Sequence, residues 1–309
     1  MDSNGLLSNF RPAAGCGELK RMLRRTMLLA PALLVKGAET NTYRIFSGAG
    51  RPATLDEVVE AASQAEVTFL GETHNDAVAH ALQLEIFTRL QARRPVSLAM
   101  EMFERDVQTV VDEYLADLIT EEQFLAASRP WKNYKTDYRP LVELAKSHGA
   151  PVVAANAPRR YVNRVSRMGA ESLQSLGPEA RSYLAPLPYR AASAAYAKRF
   201  FEVMKNVPPP PGPPRNPQWG LEAQSLWDAT MAHSVAEAHR RQPGRGIVHL
   251  NGSFHTEYRQ GIVTHLEHYN PRMRSVVVTM HPKTDYATAT LAKEQPDDFV
   301  IFTAAPAKG

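Results

Sequence analysis

Cysteine is nearly missing from this chain: of 309 residues only Cys16 is one, so no intramolecular disulfide and no cysteine-based zinc site can form. Long Lys or Arg tracts and nucleic-acid motifs are missing too. The formal charge of +4 is a mild basic excess, and nucleic acid is not expected as a partner. The apolar stretch from Met27 to Val35 is broken by Pro31 and falls well short of the ~20 residues that span a bilayer. No internal repeat is visible. With 44% hydrophobic and 22% charged residues the composition is that of a globular protein, and the length suffices for one large core.

Residues 1–40 read as an export signal or a disordered extension. Lys20-Arg21-Met22-Leu23-Arg24-Arg25 before the apolar stretch has the layout of a secretory signal, and Arg24-Arg25 followed by Thr26-Met27-Leu28-Leu29 suits the twin-arginine type. Ala13-Ala14-Gly15-Cys16 offers lipidation instead, although no hydrophobic segment precedes it. The cell envelope and the cytoplasm both stay open as locations.

From about residue 41 strands alternate with helices. Thr42-Tyr43-Arg44-Ile45-Phe46 reads as an edge strand, and Thr54 caps a short helix with Asp56 and Glu57 in its first turn. Val67-Thr68-Phe69-Leu70 is a buried strand ending at Gly71, followed by a helix over 76–94. Val96 to Met100 is the second strand of this kind. Val107, Val110, Val111, Tyr114, Leu115 and Leu118 then fall on one helix face. A helix from Arg139 to His148 stopped by Gly149, a strand ending at Asn156, a helix from about Leu221 to Arg241, and strands at 246–250, 275–280 and 299–302 complete the pattern. Residues 158–218 interrupt it as a helical insertion that ends in a proline-rich connector from Val207 to Pro214. The fold class is α/β, a mostly parallel central sheet flanked by helices, in one domain over 41–309.

In such sheets the ligand crevice lies where parallel strands end. Four strands here finish in polar groups: Glu72 and His74; Glu101, Glu104 and Arg105; Asn156, Arg159 and Arg160; Asn251 and His255. Gly-x-x-His occurs at Gly71–His74 and Gly252–His255, and again inside a strand at Gly246–His249. About half a match is expected by chance, so placement rather than the string gives the first two their weight. Glu72, His74, Glu101 and His255 are therefore the candidate catalytic centre. His74, His255 and Glu101 are also candidate ligands for a divalent metal (Zn, Mn or Co), whose bound water would permit hydrolysis. The same groups can do acid–base work without metal. Arg105, Asn156, Arg159, Arg160 and Asn251 are candidates to hold a cofactor or an anionic ligand, with Arg164 and Arg167 in the same basic cluster; a solvated helix face is the alternative reading. Gln224 and Asp228, one helical turn apart, could support the site from behind. His80, His233 and His249 read as packing or surface residues.

These segments resemble the ChaN-like haem-binding proteins of the Tiki/TraB/EreA superfamily. The resemblance rests on Phe69 to His74, Glu101 to Arg105, Ala154 to Arg160, Ala223 to Asp228 with Met231-Ala232, and His249 to His255, which occur in the family's order across about residues 42–282. It implies an α/β core with a helical subdomain and a haem-binding envelope lipoprotein of iron uptake, with peripheral membrane association and paired haems at a homodimer contact. The wider superfamily implies instead a metal-dependent hydrolase, protease- or esterase-like, centred on Glu72, His74, Glu101 and His255. The family's tyrosine ligand to haem iron does not align uniquely; Tyr134, Tyr138, Tyr161, Tyr189 and Tyr196 are the candidates.

Overall fold

The computed structural model describes residues 42–208 and 216–305. The expected export signal, Cys16 and most of the proline-rich connector lie outside the described residues.

Eight strands form one sheet: β1 (Tyr43–Ser47), β2 (Pro52–Ala53), β3 (Val67–Glu72), β4 (Val96–Glu104), β5 (Val152–Asn156), β6 (Gly246–Gly252), β7 (Ser275–Lys283) and β8 (Phe299–Ala304). Their order is β2-β1-β8-β7-β3-β6-β4-β5, parallel from β8 to β5, with β1 antiparallel to β8 and β2 antiparallel to β1. β1 is thus not the edge strand expected from the sequence; the two-residue β2 covers it. The two strands that carry the Gly-x-x-His turns, β3 and β6, are neighbours, paired from Val67 with Ile247 to Glu72 with Gly252. β4 lies on the other side of β6, so three polar strand ends share one short arc of rim.

The helices are α1 (Leu55–Gln64), α2 (Ala77–Gln91), α3 (Gln108–Leu115), α4 (Glu121–Ser128), α5 (Arg139–Ser147), α6 (Arg159–Met168), α7 (Pro178–Ser182), α8 (Ala194–Met204), α9 (Pro217–Arg241) and α10 (Ile262–Tyr269). The two-residue period of the strands divides them between two layers. Leu70, Leu98, Met100, Leu250 and Val278 pack with α1, α2, α3 and α5. Val67, Phe69, Ala99, Ile247 and Val277 pack with α9 and α10 on the opposite face. Within the insertion, α6 and the segment after it bury Val162, Val165, Leu173 and Leu184 against Ala223 and Leu226 of α9.

Three local readings change. The apolar stripe ending at Leu118 overshoots: α3 stops at Leu115, Asp117 takes a positive φ of 58°, and Leu118 is 74% exposed. α9 starts earlier than expected, because the Asn216 side chain caps it and Pro217 occupies its first turn, where a missing N–H costs nothing. α4 and a π-helical turn at Tyr134–Tyr138 went unread; the second contributes directly to the site. At the β5 edge, the Gln108 amide accepts from Ala154 N at 2.7 Å and donates to Val152 O at 2.8 Å, taking up the groups another strand would use.

Candidate functional site

The site has two halves, one on each face of the sheet. Glu72 ends β3 on the α2 face and is fully buried. Its carboxylate takes Tyr138 OH at 2.5 Å, Gln83 Nε2 at 2.7 Å, His74 Nδ1 at 3.0 Å and His80 Nδ1 at 3.1 Å. Burial works against the charge, but the hydrogen bonds from His74, His80 and Tyr138 outweigh it and hold this carboxyl below its ordinary value. His80 is raised to about 8: burial opposes its charge, and Glu72 and Asp137 more than compensate. Its Nε2 lies 3.3 Å from His74 O, and Asn133 Nδ2 donates to the same carbonyl at 3.0 Å, so the turn carrying His74 is pinned from two sides.

Glu101 faces α9. Its Oε2 accepts from Gly252 N at 2.7 Å, and its Oε1 lies 3.5 Å from His255 Nε2. His255 Nδ1 meets Asp228 Oδ1 at 2.5 Å, and Asp228 Oδ2 accepts from Tyr196 OH at 2.5 Å. Gln224 sits against both Tyr196 OH and His255 Nδ1. An imidazole held between two buried carboxylates keeps its proton: burial lowers the His255 pKa, and Glu101 and Asp228 override this and raise it to about 10. Glu101, which burial would raise, is brought down to about 2 chiefly by the His255 charge.

The halves meet at Gly252. A Cβ there would lie 2.8 Å from His74 Cε1 and 2.9 Å from His74 Nε2, so only glycine lets the His74 ring lie over the end of β6 beside Glu101. Gly261, at φ +54°, is required for a second reason: its Cβ would fall 2.3 Å from His255 O. His74 is the accessible member, 45% exposed at its side chain and edge-on to Trp131 at 4.7 Å between ring centroids. Burial opposes its protonation; Glu72 and Glu101 prevail and raise its pKa.

The structure therefore brings Glu72, His74, Glu101 and His255 to one rim. The other candidates go elsewhere. Asn156 donates to Glu101 O at 3.0 Å, and Asn251 bridges Gly252 O and Thr256 Oγ1 at 2.9 Å each; both amides shape the loops from below. Arg160 is engaged with Asp106, Arg159 is exposed, and Arg105 points to Leu184 O and His233 away from the centre. Arg164 and Arg167 bond to nearby backbone carbonyls. Among the described residues no group of three or more His, Cys, Asp or Glu is arranged to hold a metal ion; both nitrogens of His255 face carboxylates. Sequence reasoning set His80 aside as a packing or surface residue, named Tyr138 and Tyr196 only as candidate haem ligands, and did not single out Gln83. The available signal was that His80 and Gln83 lie three apart on the buried face of α2, where polar side chains need a partner.

Two expected outcomes follow. Gly252→Ala should cost no more than about 1 kcal/mol, since the exposed His74 ring can swing away. His74 would then lose Glu72 and its pKa would fall toward the free value, read by NMR titration; an unmoved His74 resonance would contradict the packing. In the pH dependence, the raised His255 and His80 contribute stability fully present below about 6.5. That stability is lost as pH rises through about 8 for His80 and about 10 for His255. Urea midpoints should drop across this interval, and His255→Gln should flatten its upper part.

Taken together, fold and rim define an α/β protein with a buried carboxylate–imidazole centre at its parallel strand ends. The chain belongs to the haem-binding uptake family of the Tiki superfamily, ChaN, whose profile matches residues 58–266 and so includes all four residues of the centre. Members of this family bind haem. Among solved structures, ChaN of Campylobacter jejuni with cofacial haem is 18% identical, with a TM-score of 0.63 over 87% of this chain and 98% of that one. The type III effector HopBA1 is 12% identical, with a TM-score of 0.48 over 82% and 94%. A mutant of the erythromycin esterase EreC in its open conformation is 12% identical, with a TM-score of 0.46 over 85% and 83%. At such identities the likeness to ChaN is one of fold. No curated protein matches the sequence significantly.

Proposed function

We propose that this chain binds haem and serves haem or iron uptake at the cell envelope. The observation that carries the reading is the family match across 58–266. The residues present fit the group. Haem needs a broad apolar face and an axial oxygen or nitrogen donor. Tyr134 and Tyr138 are buried in the core, Tyr189 and Tyr196 spend their hydroxyls on Glu222 O and Asp228, and Tyr161 is half-buried with the Arg160 guanidinium 4.5 Å over its ring. Tyr258 is the one exposed tyrosine among the described residues. It sits in a turn where it and Arg259 both take positive φ, 61° and 53°, a conformation costing about 1–3 kcal/mol per residue that only surrounding contacts sustain. Arg259 supplies them, reaching Asp298 Oδ2 and Ser275 Oγ at 2.6 Å each. The Arg199 guanidinium lies 5.1 Å from the Tyr258 ring and 4.3 Å from the Phe254 ring; one turn along α8 from Arg199 is the exposed Val203, followed by Met204. In this reading Tyr258 is the donor, and this face of α8 the apolar wall.

Tyr258 would hold the group through its phenol oxygen, and haem would supply an iron centre there. Hemin titration of the purified protein should give a shifted, saturable Soret band. Tyr258→Phe should weaken it by about tenfold or more, as expected for loss of an axial bond of at least 1.4 kcal/mol. His74→Ala with His255→Ala should leave it intact. Equal, unsaturable hemin uptake by all forms would end the haem reading.

A second reading is favoured by one observation, the line of groups from Tyr196 through Asp228 and His255 to Glu101, ending beside the accessible His74. That line orients His255 and keeps its proton, and Glu72 orients His74 through Nδ1, an arrangement that suits acid–base hydrolysis at His74 Nε2. The metal-dependent version, with Zn, Mn or Co on His74, His255 and Glu101, would require His255 to give up the proton on Nε2 while Asp228 keeps Nδ1. Metal-stimulated ester or peptide hydrolysis that is lost in the double histidine variant would favour it over the haem reading.

A further inference from the structure

Arg105 leaves the end of β4 and lines a cavity of about 320 Å³ along the β5 edge, together with Asp112, Ser182, Ser234, Glu237 and Arg241. It makes two hydrogen bonds, both through Nη1 and both to neutral acceptors: Leu184 O at 3.1 Å and His233 Nδ1 at 3.2 Å. Guanidinium only donates, so His233 Nδ1 carries no proton; burial and the Arg105 charge keep that imidazole neutral. No carboxylate among the described residues pairs with Arg105. Glu237 is held by Arg240 at 2.8 and 3.1 Å, and Asp112 accepts from Gln108 at 2.9 Å. The Tyr269 hydroxyl, next to His233 with ring centroids 5.3 Å apart, is buried without a partner among the described residues. A half-buried guanidinium with unspent N–H groups on a cavity wall is poised for an anion, because donors left without acceptors there are costly.

The rest of the wall narrows the choice. The same wall carries Asp112 and Glu237 beside Arg105 and Arg241, so a phosphate dianion would meet two carboxylates. A single carboxylate attached to a hydrogen-bond donor meets complementary groups at both ends. We propose that this cavity is a binding site, separate from the strand-end centre, for a small monocarboxylate bearing an ammonium or hydroxyl group, with Arg105 gripping the carboxylate and Asp112 and Glu237 receiving the donor.

Calorimetric titration of the full chain with L-serine, propionate and inorganic phosphate tests this. Saturable millimolar or tighter binding of L-serine is expected, with propionate and phosphate each at least about tenfold weaker. Arg105→Gln should abolish the L-serine signal, Arg105→Lys should weaken it by loss of the two-pronged contact, and the exposed Arg272→Gln should not change it. Asp112→Asn should shrink the preference for L-serine over propionate. No saturable binding of any probe, equal affinity in Arg105→Gln, or phosphate as the best ligand would each overturn the proposal. So would loss of hemin binding in Arg105→Gln, which would put the carboxylate on haem itself. Because the hemin readout uses Tyr258, failure here and failure of the haem reading are distinguishable.

Discussion

Asp228→Ala should lower unfolding free energy in urea by about 3–5 kcal/mol, the range for removing one partner of a buried ion pair. Asp228 is fully buried on α9 and is the carboxylate that joins the phenol of Tyr196 in the insertion to the imidazole of His255 past the end of β6, with Gln224 beside both. Its loss strands a buried imidazolium with Glu101 alone at 3.5 Å, and leaves a phenol with only Gln224 at 3.3 Å. The His255 pKa should fall from about 10 toward neutrality, because one of its two raising charges is gone. Asp228→Asn keeps the shape and an acceptor oxygen, so its cost should be smaller while the pKa still falls. A loss under about 1 kcal/mol in Asp228→Ala would mean that the pair is solvated rather than buried.

Glu72→Ala should be comparably severe, about 3–5 kcal/mol, for a different reason: one buried carboxylate satisfies four donors. Tyr138 OH, Gln83 Nε2, His74 Nδ1 and His80 Nδ1 would all lose their acceptor. His80, raised to about 8 largely by Glu72, would become neutral at pH 7, and its NMR titration should move down by more than one unit. Glu72→Gln separates the effects, since it preserves volume and one acceptor while removing the charge. Unchanged His80 titration in both variants would contradict the arrangement.

These variants also show where sequence reading reached and where it stopped. Apolar runs that give way to Glu72, Glu101, Asn156 and, past the buried His249, Asn251 located the rim, because strands covered on both faces read as near-continuous apolar runs. The neighbours of Glu72 were less legible. His80 and Gln83 point inward from a helix whose polarity is mixed on every side, and Tyr138 arrives on a π-helical turn that has no strong sequence signature. Tyr196 comes from the insertion, which hydrophobic periodicity reads only as irregular helix, yet Arg199 of the same helix donates to Phe254 O at 2.5 Å and Glu257 O at 2.7 Å and so clamps the His255 loop. Arg105 was placed with the centre because it follows Glu101 closely. The strand ends between them, and one change of direction sends the two side chains to different cavities.

The Gln108 amide on the outer rail of β5 has a consequence for self-association. With Val152 O and Ala154 N already occupied, a second molecule has no open ladder to join there, and at the far margin β2 offers only two residues. Two copies of this chain can therefore meet through side chains, face to face or around a shared ligand, without merging their sheets into one continuous ribbon.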